Sequence, residues 1–334
     1  MADKIVCVVF LVYLFGCSEA IKTDSTKKLV IDHDGGADDA FAITLSLLNE
    51  KYFDGPEIVA LTTTFGNVDL NQTIINSDRI LATVDRQDVP IYRGAYHALI
   101  SELGSDAFFG QDGLGDDGYK PCAPIKVQHT PAAVALLELS KKYEGELIII
   151  AIGPVTNIAL AVRMDPNFID RLAHLYVGAG HIYSKIYPKP EFNANMDPEA
   201  YHIVADTAVL DKVTFVPFSQ IQLTLNASSY WRNNVLGKID TPLMQALNGF
   251  ERISLSKKNS WTPLDPAVAA IALNNNLVDK FKNVKNGIIL EGEKRGINTN
   301  DYSSAKPNGR LVYAVNLKKY KKFLLDLYSA ELKP

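Results

Sequence analysis

Four carboxylates fall within eight residues in the stretch Asp32-His33-Asp34-Gly35-Gly36-Ala37-Asp38-Asp39. Acids crowded this closely repel one another unless a cation or a shared proton compensates. Hard divalent cations such as Ca2+ and Mg2+ take oxygen ligands, so a metal site is the chemistry this spacing suggests. The wholly apolar run Leu29-Val30-Ile31 leads into the acids, and Ala40 to Leu48 leads out with a helix-like apolar pattern. A solvated acidic turn rarely follows a strand of that kind. The acids are therefore expected at the carboxyl end of a buried parallel strand, where open α/β sheets bind ligands.

Two familiar acid patterns do not fit. An EF-hand loop counted from Asp32 needs a bidentate Glu at its twelfth position, and that position is Ile43. A haloacid-dehalogenase-type phosphatase site usually has Thr two residues beyond its second Asp; here Gly36 stands there, and the Asp38-Asp39 pair has no role in such a site.

The elements that must position these acids follow from periodicity. Strand-like runs are Glu57 to Thr64, Val89 to Tyr92, Glu146 to Ala151, Leu172 to Val177 and Lys212 to Val216. Helical spacing covers Leu70 to Val84, Ala132 to Tyr143 and Ala200 to Leu210. Continuous apolar strands alternating with amphipathic helices predict one α/β domain, an open and mainly parallel sheet flanked by helices. Polar clusters recur where strands end, at Asp32 to Asp39, Gly66-Asn67 and Gly153 to Asn157, so one crevice at the strand carboxyl ends can gather them.

The chain has 334 residues, 47% hydrophobic and 22% charged, with a formal net charge of −4. No long basic run points to nucleic acid or to an anionic membrane. Residues 1–20 read as a secretory signal: Lys4 gives a positive start, Ile5 to Phe15 an apolar core too short to span a membrane, and Ser18-Glu19-Ala20 a small-residue cleavage site. Leu14-Phe15-Gly16-Cys17 is a competing lipoprotein box with a bulky Phe15. Cleavage after Ala20 leaves a secreted domain over 21–334 with Cys122 as its one cysteine, which must rely on a large core rather than a disulfide. Asn71-Gln72-Thr73 and Asn226-Ala227-Ser228 are glycosylation sequons.

The acidic stretch resembles the D-x-D-P-G-x-D-D signature of the inosine-uridine-type nucleoside hydrolases, with Gly35 in place of the usual proline, a change expected to loosen the turn without removing a ligand. Other segments are similar to the family in the same order. They are Thr62 to Val68 with its Gly66-Asn67 loop, Gly153-Pro154-Val155-Thr156-Asn157-Ile158-Ala159, Glu191-Phe192-Asn193 with Asp197-Pro198-Glu199-Ala200, Asp265-Pro266, and Gly292 to Gly296. The resemblance runs from about residue 28 to 330 and extends to the purine nucleosidases that some animals secrete. It implies a Ca2+ bound by Asp34, Asp39, the Thr156 backbone carbonyl and Asp265, with Asp38, Asn67, Glu191, Asn193 and Asp265 holding the ribose hydroxyls. Asp34 would also be the general base toward the attacking water. The partner so implied is a small nucleoside, and a homo-oligomer, dimer or tetramer, is in keeping with the family.

Departures fall on the side of the leaving base. Where many family members carry His before the late metal-binding Asp, this chain has Leu264; the frequent His before the glycine-rich loop is Phe109, and the Asn expected six residues before Glu191 is Lys185. The six histidines lie outside the matched acid positions; His181, in a loop near the Glu191 segment, is the first candidate among them for a proton donor. Phe108, Phe109, Trp231 and Trp261 are the aromatics in segments that would line the base. The reading that follows is hydrolysis of ribonucleosides, purines favoured. Its alternatives are a broad inosine-uridine hydrolase and a nucleoside-binding protein that has lost catalysis; retention of Asp34 argues against the second.

Overall fold

A computed structural model describes residues 27–100 and 103–332; the signal segment 1–20 lies outside them. The strands in chain order are β1 (Lys28–His33), β2 (Glu57–Thr63), β3 (Ile91–Tyr92), β4 (Val127–Gln128), β5 (Leu147–Ala151), β6 (His174–Val177), β7 (Val213–Phe215), β8 (Ala227–Ser228), β9 (Ser260–Trp261), β10 (Val278–Ile288), β11 (Asn298–Asp301) and β12 (Gly309–Val315). Ten of them form one sheet in the order β11-β10-β12-β7-β6-β5-β1-β2-β3-β4, while β8 and β9 pair separately. The sheet is parallel from β12 through to β4, and β10 runs antiparallel to both β11 and β12. This is the expected open, mainly parallel α/β sheet, to which β10 and β11 add an antiparallel margin that the sequence reading did not include.

Strand β1 lies between β2 and β5, so both its edges are paired, and helices cover both its faces. Side chains alternate across a strand. Accordingly Leu29 and Ile31 pack with the helices Ala37–Tyr52, Asp265–Leu273 and Leu317–Tyr328 on one side. Val30 packs with Ala132–Lys142, Thr156–Met164 and Pro198–Thr207 on the other. That burial explains why β1 reads as an unbroken apolar run.

Element ends shift by a few residues. Leu70–Ala82 is the helix expected over Leu70 to Val84, and the strand at Val89 shortens to Ile91–Tyr92. Pro198–Thr207 starts earlier than Ala200 because Asp197 caps it, accepting from the Ala200 N–H at 3.0 Å, with Pro198 in the first turn. Among the described residues no helix is long and apolar enough to cross a membrane. Asn71, Asn226 and Cys122 are exposed.

Candidate active site

The acid turn is built by Asp39. It lies in the first turn of Ala37–Tyr52, and its carboxylate accepts from the Gly36 N–H at 2.7 Å and the Asp34 N–H at 3.1 Å. Anions are favoured at a helix N-terminus. Gly35 adopts φ +83°, and a Cβ there would lie 2.9 Å from the Thr73 Cα. Proline, locked near −65°, cannot take that conformation. The glycine therefore sets a different turn rather than a looser version of the proline one, which corrects the expectation from sequence.

Asp34 is fully buried beside this turn. Its two oxygens accept from the Asn67 N–H at 2.8 Å and the Asn67 amide at 2.7 Å. A Cβ on Gly66 would collide with this carboxylate, so the glycine before Asn67 is what admits Asp34. Asp32, behind it, accepts from Thr62 at 2.6 Å and from the Asn157 amide at 2.8 Å. Asp32 and Asn157 thus tie β1 to the Gly153 to Asn157 turn.

From the far end of the sequence, Asp265 enters as the first residue of Asp265–Leu273. One oxygen each of Asp38, Asp39 and Asp265 lie within 4.8 Å of one another, and all three residues are buried. Of the expected ligands, Asp39 and Asp265 converge there; Asp38, expected toward the ribose, completes the group, and Asp34 adjoins through a hydrogen bond with Asp39. Burial first, then the mutual repulsion of the carboxylates, pushes Asp38, Asp39 and Asp265 upward. Asp34 is raised chiefly by burial. His33, 3.8 Å from Asp39, supplies no compensating charge, since burial pushes its imidazole down to about 3. One Asp38 oxygen is buried without a hydrogen-bond partner among the described residues. Convergent buried carboxylates with an unsatisfied oxygen suit a hard cation, which satisfies oxygens and reverses the charge balance at once.

Glu191 caps the helix Phe192–Met196, accepting from the N–H groups of Gly180 at 2.7 Å, Ala194 at 3.0 Å and Asn193 at 3.1 Å. The Asn193 amide donates to the carbonyls of Ile152 (3.0 Å) and Gly178 (2.9 Å), which leaves its side-chain oxygen for a ligand. Thr156 opens the helix Thr156–Met164 with its hydroxyl on Asp197 at 2.7 Å. A cleft of about 890 Å3, open mouth included, is lined by Asp38, Asn67, Glu191, Asn193 and Asp265 together with Phe108, Phe109, Trp261 and Leu264. Residues separated by more than two hundred positions share this one cavity.

Residues 29–322 match the inosine-uridine preferring nucleoside hydrolase family. The chain belongs to that family. It is 33% identical over 183 residues to a probable uridine nucleosidase 2 of Arabidopsis thaliana, covering 53% of this chain and 55% of the relative. To the inosine-uridine preferring nucleoside hydrolase of Leishmania major it is 32% identical over 181 residues, 53% of this chain and 56% of the relative. The chain thus spans about half the length of the curated relatives it matches. Its fold is that of a purine-preferring ribonucleoside hydrolase from Gardnerella vaginalis, with a TM-score of 0.81 at 24% identity over 91% of this chain and 98% of that one.

The other half of the cleft departs from expectation in part. Phe108 and Phe109 line it, edge to face at 4.8 Å, as does Trp261. Trp231 does not; it packs behind, 6.0 Å from Trp261. His181 is also outside the cleft, stacked on Phe218, and burial lowers it to about 4. Sequence reasoning missed Arg232 and Glu251. The Arg232 guanidinium, completely buried, bonds Glu251 at 2.6 Å, and the other Glu251 oxygen accepts from the Trp261 indole at 2.7 Å. A signal for Glu251 existed: it falls four residues after Leu247 and seven after Met244, on the buried face of Pro242–Phe250 continued by one residue.

Proposed function

We propose that this nucleoside hydrolase cleaves the N-glycosidic bond of ribonucleosides with water, releasing free base and ribose, with purine nucleosides favoured. One observation carries the reading. Asp38 and Asp265, which meet Asp39 in one buried cluster, share a cleft with Glu191, Asn193 and Asn67, a set rich in acceptors for sugar hydroxyls.

Breaking the bond builds oxocarbenium character on the ribose, and carboxylates fixed around the sugar stabilise that charge without reorganising. Asp38, Asn67, Glu191, Asn193 and Asp265 bind the hydroxyls, so binding energy away from the reacting carbon orients and distorts the sugar. Asp34, steadied by its two bonds from Asn67, takes a proton from the attacking water. Ca2+, held by Asp34, Asp39, Asp265 and the Thr156 backbone carbonyl, would make that water more acidic.

Purine preference rests on Leu264, a buried side chain lining the cleft where the family often has a proton-donating His. A pyrimidine without an acid leaves poorly, whereas a purine offers N7 to a polar neighbour and a wide face to Phe108, Phe109 or Trp261. The curated relatives named above are called uridine or inosine-uridine hydrolases, which makes uridine the decisive comparison. The kcat/KM for inosine should exceed that for uridine at least about tenfold, the low end of what a general acid contributes. Equal efficiencies would refute the preference. Exhaustive chelation or Asp34→Ala should abolish turnover; activity within a few-fold of the untreated protein would refute the metal and the base.

A further inference from the structure

We infer that Lys258 is the group that receives the departing base, and that it selects 6-oxopurines. The inference rests on the hydrolysis proposed above and names the substrate class of the same cleft.

Lys258 is the one Lys, Arg or His among the described residues lining the cleft. It follows the helix Arg252–Lys257, and its ammonium lies over the Phe108 ring, 4.8 Å from the centroid. Phe108 meets Phe109 edge to face at 4.8 Å, and a Cβ on Gly36 would lie 2.9 Å from the Phe109 ring. Two aromatic rings therefore lead from the acid turn to the ammonium. A nucleoside with its ribose at the acids and its base along these rings presents its far edge to Lys258.

Of the other polar groups that line the cleft on this side, Ser260 and Thr262 offer only neutral hydroxyls, and the rest have partners. Lys257 donates to the carbonyls of Ala107 at 2.9 Å and Phe108 at 2.8 Å. Asp106 accepts from the Phe108 N–H at 2.9 Å. Glu251 is paired with Arg232 and bonded to Trp261. Ser254 donates to the Glu251 carbonyl at 3.0 Å. Only an ammonium has both the charge and the free donors to meet an electron-rich ring.

As the C1′–N9 bond breaks, its electron pair passes to the purine. The hydroxyl of water bonds to C1′ and the proton of that water goes to Asp34. Lys258 donates to O6 and delivers a proton to N7, so the base leaves neutral; exchange with solvent then restores Asp34 and Lys258. A 6-aminopurine presents a donor where O6 would accept, leaving one ammonium hydrogen without its partner. Inosine and guanosine should consequently be cleaved at least about tenfold more efficiently than adenosine, since a polar mismatch discriminates more strongly than a missing methylene.

The test compares wild type, Lys258→Met, Lys258→Arg and Asp106→Asn on inosine, adenosine and p-nitrophenyl β-D-riboside. The nitrophenolate leaves without a proton. Lys258→Met should lose about 10²-fold in kcat/KM on inosine, stay within threefold on the nitrophenyl riboside, and bring the inosine-to-adenosine ratio toward one. Lys258→Arg should recover part of the loss, and Asp106→Asn should leave the ratio unchanged. A Lys258→Met enzyme within threefold of wild type on inosine overturns the inference, as does an equal loss on the nitrophenyl riboside or a larger loss in Asp106→Asn. If wild type cleaves no nucleoside, the proposed reaction falls and takes this inference with it. Cleavage by wild type and Lys258→Met alike overturns the inference alone.

Discussion

Replacing Arg232 by Met should destabilise this protein more than loss of almost any other single charge. The guanidinium is completely buried, with Nε 2.6 Å from Glu251, itself only 2% exposed, and Nη1 2.7 Å from the Asn248 side-chain oxygen. It also lies over the rings of Phe41, at 4.9 Å, and Trp261, at 5.9 Å. Removing one partner of a buried pair strands the other charge and costs about 3–5 kcal/mol. Glu251→Gln should cost a similar amount through the stranded guanidinium, although it retains an acceptor for the Trp261 indole. The double variant strands neither, so its loss should fall short of the summed single losses by about 2 kcal/mol or more, within the range seen for contacting residues. Urea unfolding followed by tryptophan fluorescence measures all three, and Asp326→Asn in the exposed Lys322 pair is the control, expected to move stability by a few tenths of a kcal/mol at most. Single losses below about 1 kcal/mol, or strictly additive ones, would refute the reasoning, because a pair outside solvent cannot be broken that cheaply.

Acid should weaken the fold through His174, whose ring nitrogen lies 2.8 Å from the Thr214 hydroxyl and which burial, then Arg310 and Lys212, push down from 6.5 to about 4. Between those pH values the unfolded chain binds the proton and the folded chain does not. The contribution is therefore complete above about pH 6.5 and lost as pH falls toward 4, at up to about 1.4 kcal/mol per pH unit. His174→Gln should flatten the urea midpoint between pH 7 and 5; an unchanged slope would show that His174 titrates normally. We also propose secretion with removal of residues 1–20. N-terminal sequencing of material from the medium should begin at Ile21, and a lipidated Cys17 or an uncleaved cytosolic chain would overturn this.

The sequence by itself determined the parallel α/β frame and the acid half of the site, because both are local. A strand buried on both faces must read as an apolar run, and Asp34, Asp38 and Asp39 all lie between the end of that strand and the first turn of the helix after it. The left-handed Gly35 turn was invisible, since glycine in a sequence permits a conformation without requiring it. The antiparallel margin was not legible either, because the first half of β10, Val278 to Asn283, shows no alternation of buried and exposed residues.

Only the tertiary structure decided what stands opposite the acids. Lys258 reaches the cleft because Arg252 and Lys257 bond to the carbonyls of Gly115, Asp116, Ala107 and Phe108, fastening one segment against another more than 130 residues away in the chain. Trp261 lines the wall while Trp231 packs behind it, a distinction that composition and spacing cannot make. Carboxylates gathered in one turn announce themselves through their mutual repulsion. A lysine and a phenylalanine on separate loops are ordinary surface residues until packing of the whole chain places one over the other.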